Sequence, residues 1–273
     1  MLKNKFHISF LIALIIGNIC IGQCKIETKH FKTGEKLSFT GYYNWGFIWL
    51  DAGWAEFAIQ DTVINNKKVS KFITQGGSHE SYDWIYKIRE KFETLSDTST
   101  LKPFYSKRNS IEGEYWVNNE YVFDYGQKKI YGNIHNQKMG KFKDTVALLP
   151  CTFDLLSAVY YARTLDYLSM PINQKIPIKV NDEGEIYDLY ITYKGVENIH
   201  VRELDKKVKS IKLIATLIAG NVFSEGESMN IWLSNDQNRL PVLIEAKILV
   251  GSVKAIIKGA EGLLYPTTIF DKK

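Results

Sequence analysis

The chain has 273 residues, 35 Lys and Arg against 30 Asp and Glu for a formal charge of +5, 45% apolar and 13% aromatic residues, and three cysteines. The charges interleave along the whole chain, which leaves no concentrated basic footprint for nucleic acid. So few cysteines predict a fold held by its hydrophobic core rather than by disulfides.

The first segment, MLKNKFHISFLIALIIGNICIGQCK, carries Lys3 and Lys5 ahead of an unbroken apolar run, Phe10 to Ile16. Small Gly22 and polar Gln23 close it. This pattern predicts a secretory signal peptide over 1–23 and a periplasmic or secreted mature protein. The apolar run is short of the ~20 residues that span a bilayer, so no transmembrane segment is expected after cleavage. Cys24 offers a lipidation site, but Gln23 before it is not the small residue that lipidation favours, and an outer-membrane lipoprotein is the lesser alternative.

Beyond residue 35 strand signals dominate. KLSFTGYYNWGFIWLDAGWAEFAIQD (36–61) is rich in aromatic and β-branched residues and broken by Gly41, Gly46 and Gly53, which suit turns or bulges. Ile88, Glu90, Phe92 and Thr94 alternate against Arg89, Lys91, Glu93 and Leu95 with a period of two. Further short strands follow, broken at Gly113, Asn118-Asn119 and Gly126. One segment departs from this: CTFDLLSAVYYARTLDYL (151–168) has helical spacing, with Thr152 as N-cap and Asp154 in the first turn. It predicts one principal central helix over about 153–166.

Strands then resume. A hairpin is expected around Asp182-Glu183-Gly184. The last predicted ribbon is IWLSNDQNRLPVLIEAKILVGSVKAII (231–257). Its turn at Asn235 to Asn238 leads into a long run with Val242, Ile244, Ala246, Ile248 and Val250 on one face, bent at Gly251-Ser252. Asp236 is expected to close the turn as an Asx motif, Arg239 to pair with it or with a neighbouring strand, and Pro241 to open the second strand. Strands so long suggest a curved antiparallel sheet or half-barrel in a single β-rich unit, residues 24–273.

Motifs for chemistry are sparse. There is no G-x-S-x-G, H-E-x-x-H, Walker loop or G-x-G-x-x-G. His79, Glu80 and Asp83 are expected to be solvated turn residues, and His30, His135 and His200 isolated surface residues. Cys151, at a helix start, is expected to be a buried thiol rather than a nucleophile. No catalytic residue, cofactor or metal set is nominated. The aromatic group Tyr42, Trp45, Trp49, Trp54, Trp84 and Trp116 is the candidate ligand surface, because such rings offer apolar faces with polar edges.

Four blocks, GYYNWGFIWLDAGWAEF, YDWIYKIREKFETLSDTSTLKPFYSKR, FDLLSAVYYAR and MNIWLSNDQNRLPVLIEAKILVGSVKAII, resemble in order the blocks of the DUF3108 family, over about residues 35–262. The chain is similar to its Bacteroidetes type. The resemblance implies an exported, β-rich protein without an assigned activity, and a fold similar to the half-barrels of periplasmic lipoprotein carriers. Three functions are therefore weighed: an envelope protein holding a lipid or other hydrophobic ligand in the concave face of a curved sheet, a structural or interaction module assisting envelope or polysaccharide assembly, and an enzyme.

Overall fold

The computed structural model describes residues 24, 26, 28–45, 47–64, 66–216, 228–248 and 251–271. The expected signal segment and Val250 lie outside these residues. The strands are β1 (Lys36–Trp45), β2 (Ile48–Ile64), β3 (Lys67–Ser78), β4 (Ile88–Asp97), β5 (Pro103–Glu112), β6 (Tyr115–Asp124), β7 (Lys129–Asn136) and β8 (Gly140–Ala147) in the first half. The second half has β9 (Thr152–Asp154), β10 (Lys175–Asp182), β11 (Glu185–Val201), β12 (Lys206–Thr216), β13 (Ser228–Ser234), β14 (Pro241–Lys247) and β15 (Ser252–Glu261). All belong to one open sheet in the order β8-β7-β6-β5-β4-β3-β2-β1-β15-β14-β13-β12-β11-β10-β9. It is thus two meanders joined where β1 pairs with β15, antiparallel everywhere except β9 on β10.

The sheet rolls up because both meanders bury one face on the same contents. Helix α1 (Asp83–Tyr86) is a single turn between β3 and β4, and α2 (Leu155–Ala162) follows β9. Around α2, Phe31, Phe72 and Ile59 from the first half meet Phe153, Ile178, Val180, Ile191, Tyr193, Ile211 and Leu213 from the second. Phe72 and Tyr160 lie 4.3 Å apart between ring centroids, and Phe31 meets Tyr160 edge-on at 5.1 Å. The concave side of the sheet is therefore packed with aromatic rings and the helix. Among the described residues no helix is long and apolar enough to cross a membrane.

The single long central helix is not found. Only eight residues, 155–162, are α-helical, because Thr152 to Asp154 pair with Lys179 to Asn181 as a strand that buries Phe153 in the core. The N-cap is Asp154, not Thr152. Its carboxylate accepts from the Leu156 and Ser157 amides, and the Ser157 hydroxyl lies 3.2 Å from the Asp154 amide, completing a capping box.

A second correction concerns cysteine. Cys24 and Cys151 form a disulfide across 127 residues, with Cα atoms 5.4 Å apart. Cys151 is therefore neither a free thiol nor a nucleophile, and the core does not hold the fold alone. The bond ties the start of the described chain to the residue just before β9.

The hairpin at Asp182 to Glu185 forms as expected, with Glu183 and Gly184 both at positive φ, the backbone of a two-residue turn. The last ribbon differs from its expected shape. Instead of one bent strand, Gly251 at φ +85° turns the chain sharply, so β14 and β15 are separate strands paired to each other. A register shift between Trp232 and Leu233 also breaks strict alternation. Val242 and Ala246 are buried while Leu243, Ile244 and Ile248 are half-buried.

Candidate binding cleft

The turn from Asn235 to Leu240 is a structural hub. One Asp236 carboxylate oxygen accepts from the Ser234 hydroxyl (2.6 Å) and the amides of Asn238 (3.0 Å) and Arg239 (3.2 Å), and the other from Thr267 (2.8 Å). Arg239 points back to the Asn235 side chain (3.1 Å), and Pro241 opens β14 opposite Leu233. The turn's buried carbonyls are taken by Arg163, which donates to Asn238 (2.9 Å) and Arg239 (3.2 Å). Arg163 also forms a bidentate pair with Glu35 at 2.5 and 3.0 Å, with the two residues only 2% and 0% exposed. His30, half-buried rather than on the open surface, bonds the Gln237 carbonyl at 2.7 Å, and burial lowers its pKa. These groups bond the molecule to itself.

The aromatic candidates do not converge on one pocket. Trp84 sits on α1, Trp116 lies near the start of β6 edge-on to His135 at 4.7 Å, and Trp54 is on β2 opposite Gly77 near the end of β3. Trp45 ends β1 opposite Ile48, and its side chain lies outside the described part of the structure. Tyr42 and Trp49 are the pair brought together, with rings 6.2 Å apart.

Trp49, with Tyr42 packed beside it, lines a cleft that forms for a topological reason. Strands β11 and β12 continue past the end of β13: Ser234 pairs with Ser210, but β11 and β12 remain paired out to Val201 and Lys206. This overhanging arm has its own apolar side chains, Ile199, Val201, Leu204 and Val208, which pack with Tyr42, Trp232, Leu243 and Ile256 of the main sheet. The arm thus folds over the sheet face, and between them lies a cleft of about 480 Å³. Its lining is Trp49, His200, Val201, Arg202, Leu243, Lys254 and Ile256.

The chemistry of this lining is amphipathic. Val201, Leu243 and Ile256 provide apolar surface, and Trp49 a large aromatic face. The Lys254 ammonium lies 4.5 Å from the Trp49 ring centroid and 3.0 Å from Glu245. The Arg202 guanidinium lies 5.2 Å from the Tyr42 ring and has no salt bridge among the described residues. The Tyr42 hydroxyl donates to Glu203, and burial together with that carboxylate pushes its pKa up to about 12. Tyr42 is thus a fixed neutral donor at ordinary pH. Among the described residues no carboxylate, serine or cysteine lines the cleft, and with Lys254 already paired to Glu245 it is Arg202 that can best hold an anion beside an apolar chain.

His79, Glu80 and Asp83 do not form a site either. His79 faces Asp51 at 2.8 Å, Glu80 is exposed, and Asp83 is not a free turn carboxylate but is held by Ser78 and by both Arg89 nitrogens at 3.0 and 2.7 Å. No cluster of three metal-ligating side chains occurs among the described residues.

A denser polar group lies elsewhere, around half-buried Arg108 on β5. Its guanidinium meets Asp182 (3.0 Å), Glu112 (2.9 Å) and Glu183 (3.6 Å), and the Ser110 hydroxyl beside it donates to Glu90. Burial opposes the Arg108 charge, but the surrounding carboxylates outweigh that and push its pKa up. Burial also pushes Glu90 up to about 8, because a single guanidinium does not neutralise every acid around it. These contacts join β5 to the β10–β11 turn and close the roll.

The sequence reading missed Arg202, Lys254, Leu243, Ile256 and Arg108. No local motif marks them, since the cleft and the Arg108 group are assembled from strands far apart in the chain. The one available signal was an arm much longer than its neighbour strand.

The sequence profile described as "Protein of unknown function (DUF3108)" matches residues 38–258. No curated protein matches the chain significantly. Among solved structures, the chain is similar to a "beta-barrel-like protein of domain of unknown function DUF1849" from Brucella abortus, at a TM-score of 0.55 and 8% identity, covering 85% of this chain and 98% of that one. That likeness is one of fold. A DUF1329 family protein from Desulfovibrio piger aligns over 90% of this chain and 91% of its own at 9% identity, but with a TM-score of 0.23.

Proposed function

The chain belongs to the DUF3108 family, and from that premise we propose that it is an exported envelope protein that binds an anionic amphiphile, such as a lipid or acyl chain, in the cleft under the β11–β12 arm. The carrying observation is the cleft lining: apolar Val201, Leu243 and Ile256 and the Trp49 ring, edged by Arg202 and Lys254. An apolar tail is removed from water by the first group, at roughly 25 cal/mol per Å² buried, and a head group meets the second. This moves the ligand away from the concave face, which α2 and its aromatic neighbours fill. The Cys24–Cys151 disulfide supports export, since such bonds persist in oxidising compartments. The interaction-module alternative has weaker support: β8 is a free edge, but Lys141 and Lys143 on it discourage strand addition.

The test is native mass spectrometry of protein purified from its host, followed by titration with a fluorescent fatty-acid probe. One amphiphile per chain is expected. Trp49→Ala should weaken the probe about tenfold, the effect of losing ~1.4 kcal/mol of contact, and Arg202→Gln should weaken a charged probe but not its neutral ester. Unchanged probe affinity in Trp49→Ala would refute the site.

A further inference from the structure

The first meander places its connections alternately at two ends of the molecule. Strands β1 to β8 pair antiparallel in chain order, so the β1–β2, β3–β4, β5–β6 and β7–β8 connections share one end. Each carries or adjoins a large apolar side chain facing water. Phe47 in the first turn is 96% exposed, Trp84 and Ile85 on α1 are 82% and 60% exposed, and Met139 in the β7–β8 turn is 58% exposed. Trp116, one residue into β6, is also exposed. Trp49 and Trp54 on β2 lie toward the same end, opposite Asn44 and Gly77. The other end exposes Val63, Ile64, Phe104, Val122, Tyr125 and Leu149 but, among the described residues, no tryptophan.

This exposure is built into the architecture. The turn of α1 is pinned from beneath: Ser78 donates to Asp83 (2.7 Å), Arg89 clamps the same carboxylate, and the Ile88 amide donates back to Ser78 (3.0 Å). Tyr86 is packed onto the neighbouring connection so closely that a Cβ at Gly113, which has φ +64°, would lie 2.7 Å from its ring. Two connections are thereby fixed to each other while Trp84 and Ile85 face outward. The support holds Trp84 and Ile85 in a fixed outward direction, together on one turn and 82% and 60% exposed.

The geometry points to a lipid bilayer surface as the partner: we propose that this end docks onto a membrane, with Phe47, Trp84 and Ile85 entering the interfacial layer. The apolar groups project from separate tips, which fits a soft planar surface better than the groove or strand edge that a folded partner uses. Tryptophan is the residue type enriched where lipid meets water. Charge does not favour an acidic or basic partner. On the four connections Lys87 and Lys138 balance Glu80 and Glu114, and Asp83 is neutralised by Arg89. Attraction should therefore be apolar, and insensitive to salt. The docking does not require an occupied cleft, although Trp49, two residues after Phe47, would stand close to the bilayer.

Flotation of the mature, disulfide-bonded protein with phosphatidylcholine vesicles tests this, with tryptophan quenching by brominated lipid as a second readout. The wild type should float, equally in low and high salt, and its tryptophans should be quenched. Phe47→Ser combined with Trp84→Ser should lower the partition coefficient at least about tenfold while leaving the melting temperature unchanged, since both side chains are exposed. Arg202→Gln, which tests the cleft from the β11–β12 arm, should leave flotation in place, so failure of one reading is distinguishable from failure of the other. Three results would overturn the docking: no flotation of the wild type, flotation abolished by salt, or equal flotation of the double variant. Self-association lost in the double variant without any vesicle partition would assign the surface to a second copy of the chain instead.

Discussion

The interior of the rolled sheet follows two different plans. Around α2 it is almost dry and aromatic: Phe31, Phe72, Phe153, Tyr160, Tyr161 and Tyr167 interlock, and the single charged pair, Arg163 with Glu35, is bidentate and saturated with backbone carbonyls. Around Arg108 the same sheet faces inward with Ser106, Ser110 and Asn119, and four carboxylates surround one guanidinium. Bonding is incomplete in both regions: near α2 the Tyr160 hydroxyl and Thr152 Oγ1 are buried without a hydrogen bond within the protein, but they are neutral groups, whereas around Arg108 charged groups are involved. Arg108 Nε and Asn119 Nδ2 are buried and make no hydrogen bond within the protein, and each such group carries an unrepaid desolvation cost. The comparison teaches that one region fixes the fold and the other closes it. Damage to the first should unfold the protein, whereas changes in the second should tune stability with pH.

The largest expected effect tests the first region. Arg163 joins three parts of the chain, the segment before β1, the end of α2 and the β13–β14 turn, and its guanidinium also lies 5.1 Å from the Phe31 ring. Arg163→Met leaves Glu35 without its partner in a fully buried site and strips three carbonyls, those of His30, Asn238 and Arg239, of a donor. The unfolding free energy from urea titration should fall by about 3–5 kcal/mol. Replacing Glu35 by Leu in the same protein should restore a good part of that loss, because the unpartnered carboxyl is then gone. A single variant within about 1 kcal/mol of wild type would mean the pair is dispensable, and the contrast between the two regions would disappear.

Next in size is the disulfide. It closes a loop of 127 residues and anchors the N-terminal segment, including Phe31 and Glu35, against the α2 side of the interior. Replacing Cys24 and Cys151 together by Ser should cost about 2–4 kcal/mol. Proteolysis should then begin near residues 24–35 rather than in the β4–β8 region. Early cleavage within β4–β8 would show that the bond supports the whole roll rather than its aromatic half.

Much of the first plan was legible in the sequence, and little of the second. Aromatic and β-branched runs gave away the strands, because packing on a pleated surface selects those residues locally. The turns at Asp182 to Gly184 and Asn235 to Asn238 were readable for the same reason: positive φ and Asx bonding demand particular residues at particular places. The extent of α2 was misread because Phe153 and Asp154 fit a helical pattern as well as a strand and a cap, and only pairing with β10 decides between them. Gly251 was read as a bend because periodicity alone does not distinguish a bend from a hairpin. The Cys24–Cys151 bond, the Arg108 group and the cleft join positions separated by tens of residues or more, and no local preference records such a meeting.

The smallest expected effect bears on the second region. Glu90 lies beside Ser110, Arg108 and Glu112, and burial raises its pKa from 4.5 to about 8. The folded protein therefore keeps a proton that the unfolded chain releases above pH 4.5. Where the folded state binds more protons, stability falls as pH rises, so this group lowers stability progressively from about pH 4.5 to about pH 8 and adds nothing further beyond. Neutral glutamine copies the protonated form. Glu90→Gln should match the wild type near pH 4 and melt about 2–4 °C higher at pH 8, the shift that ~1 kcal/mol produces in a domain of this size. Asp182, also pushed up by burial, faces the same guanidinium but donates no such relief when left intact, so the variant should retain a residual slope. Thermal melts of both proteins across pH 4 to 9 would measure it. Parallel curves would show that Glu90 is ionised in the folded state, and the difference in pH response between the two regions would disappear.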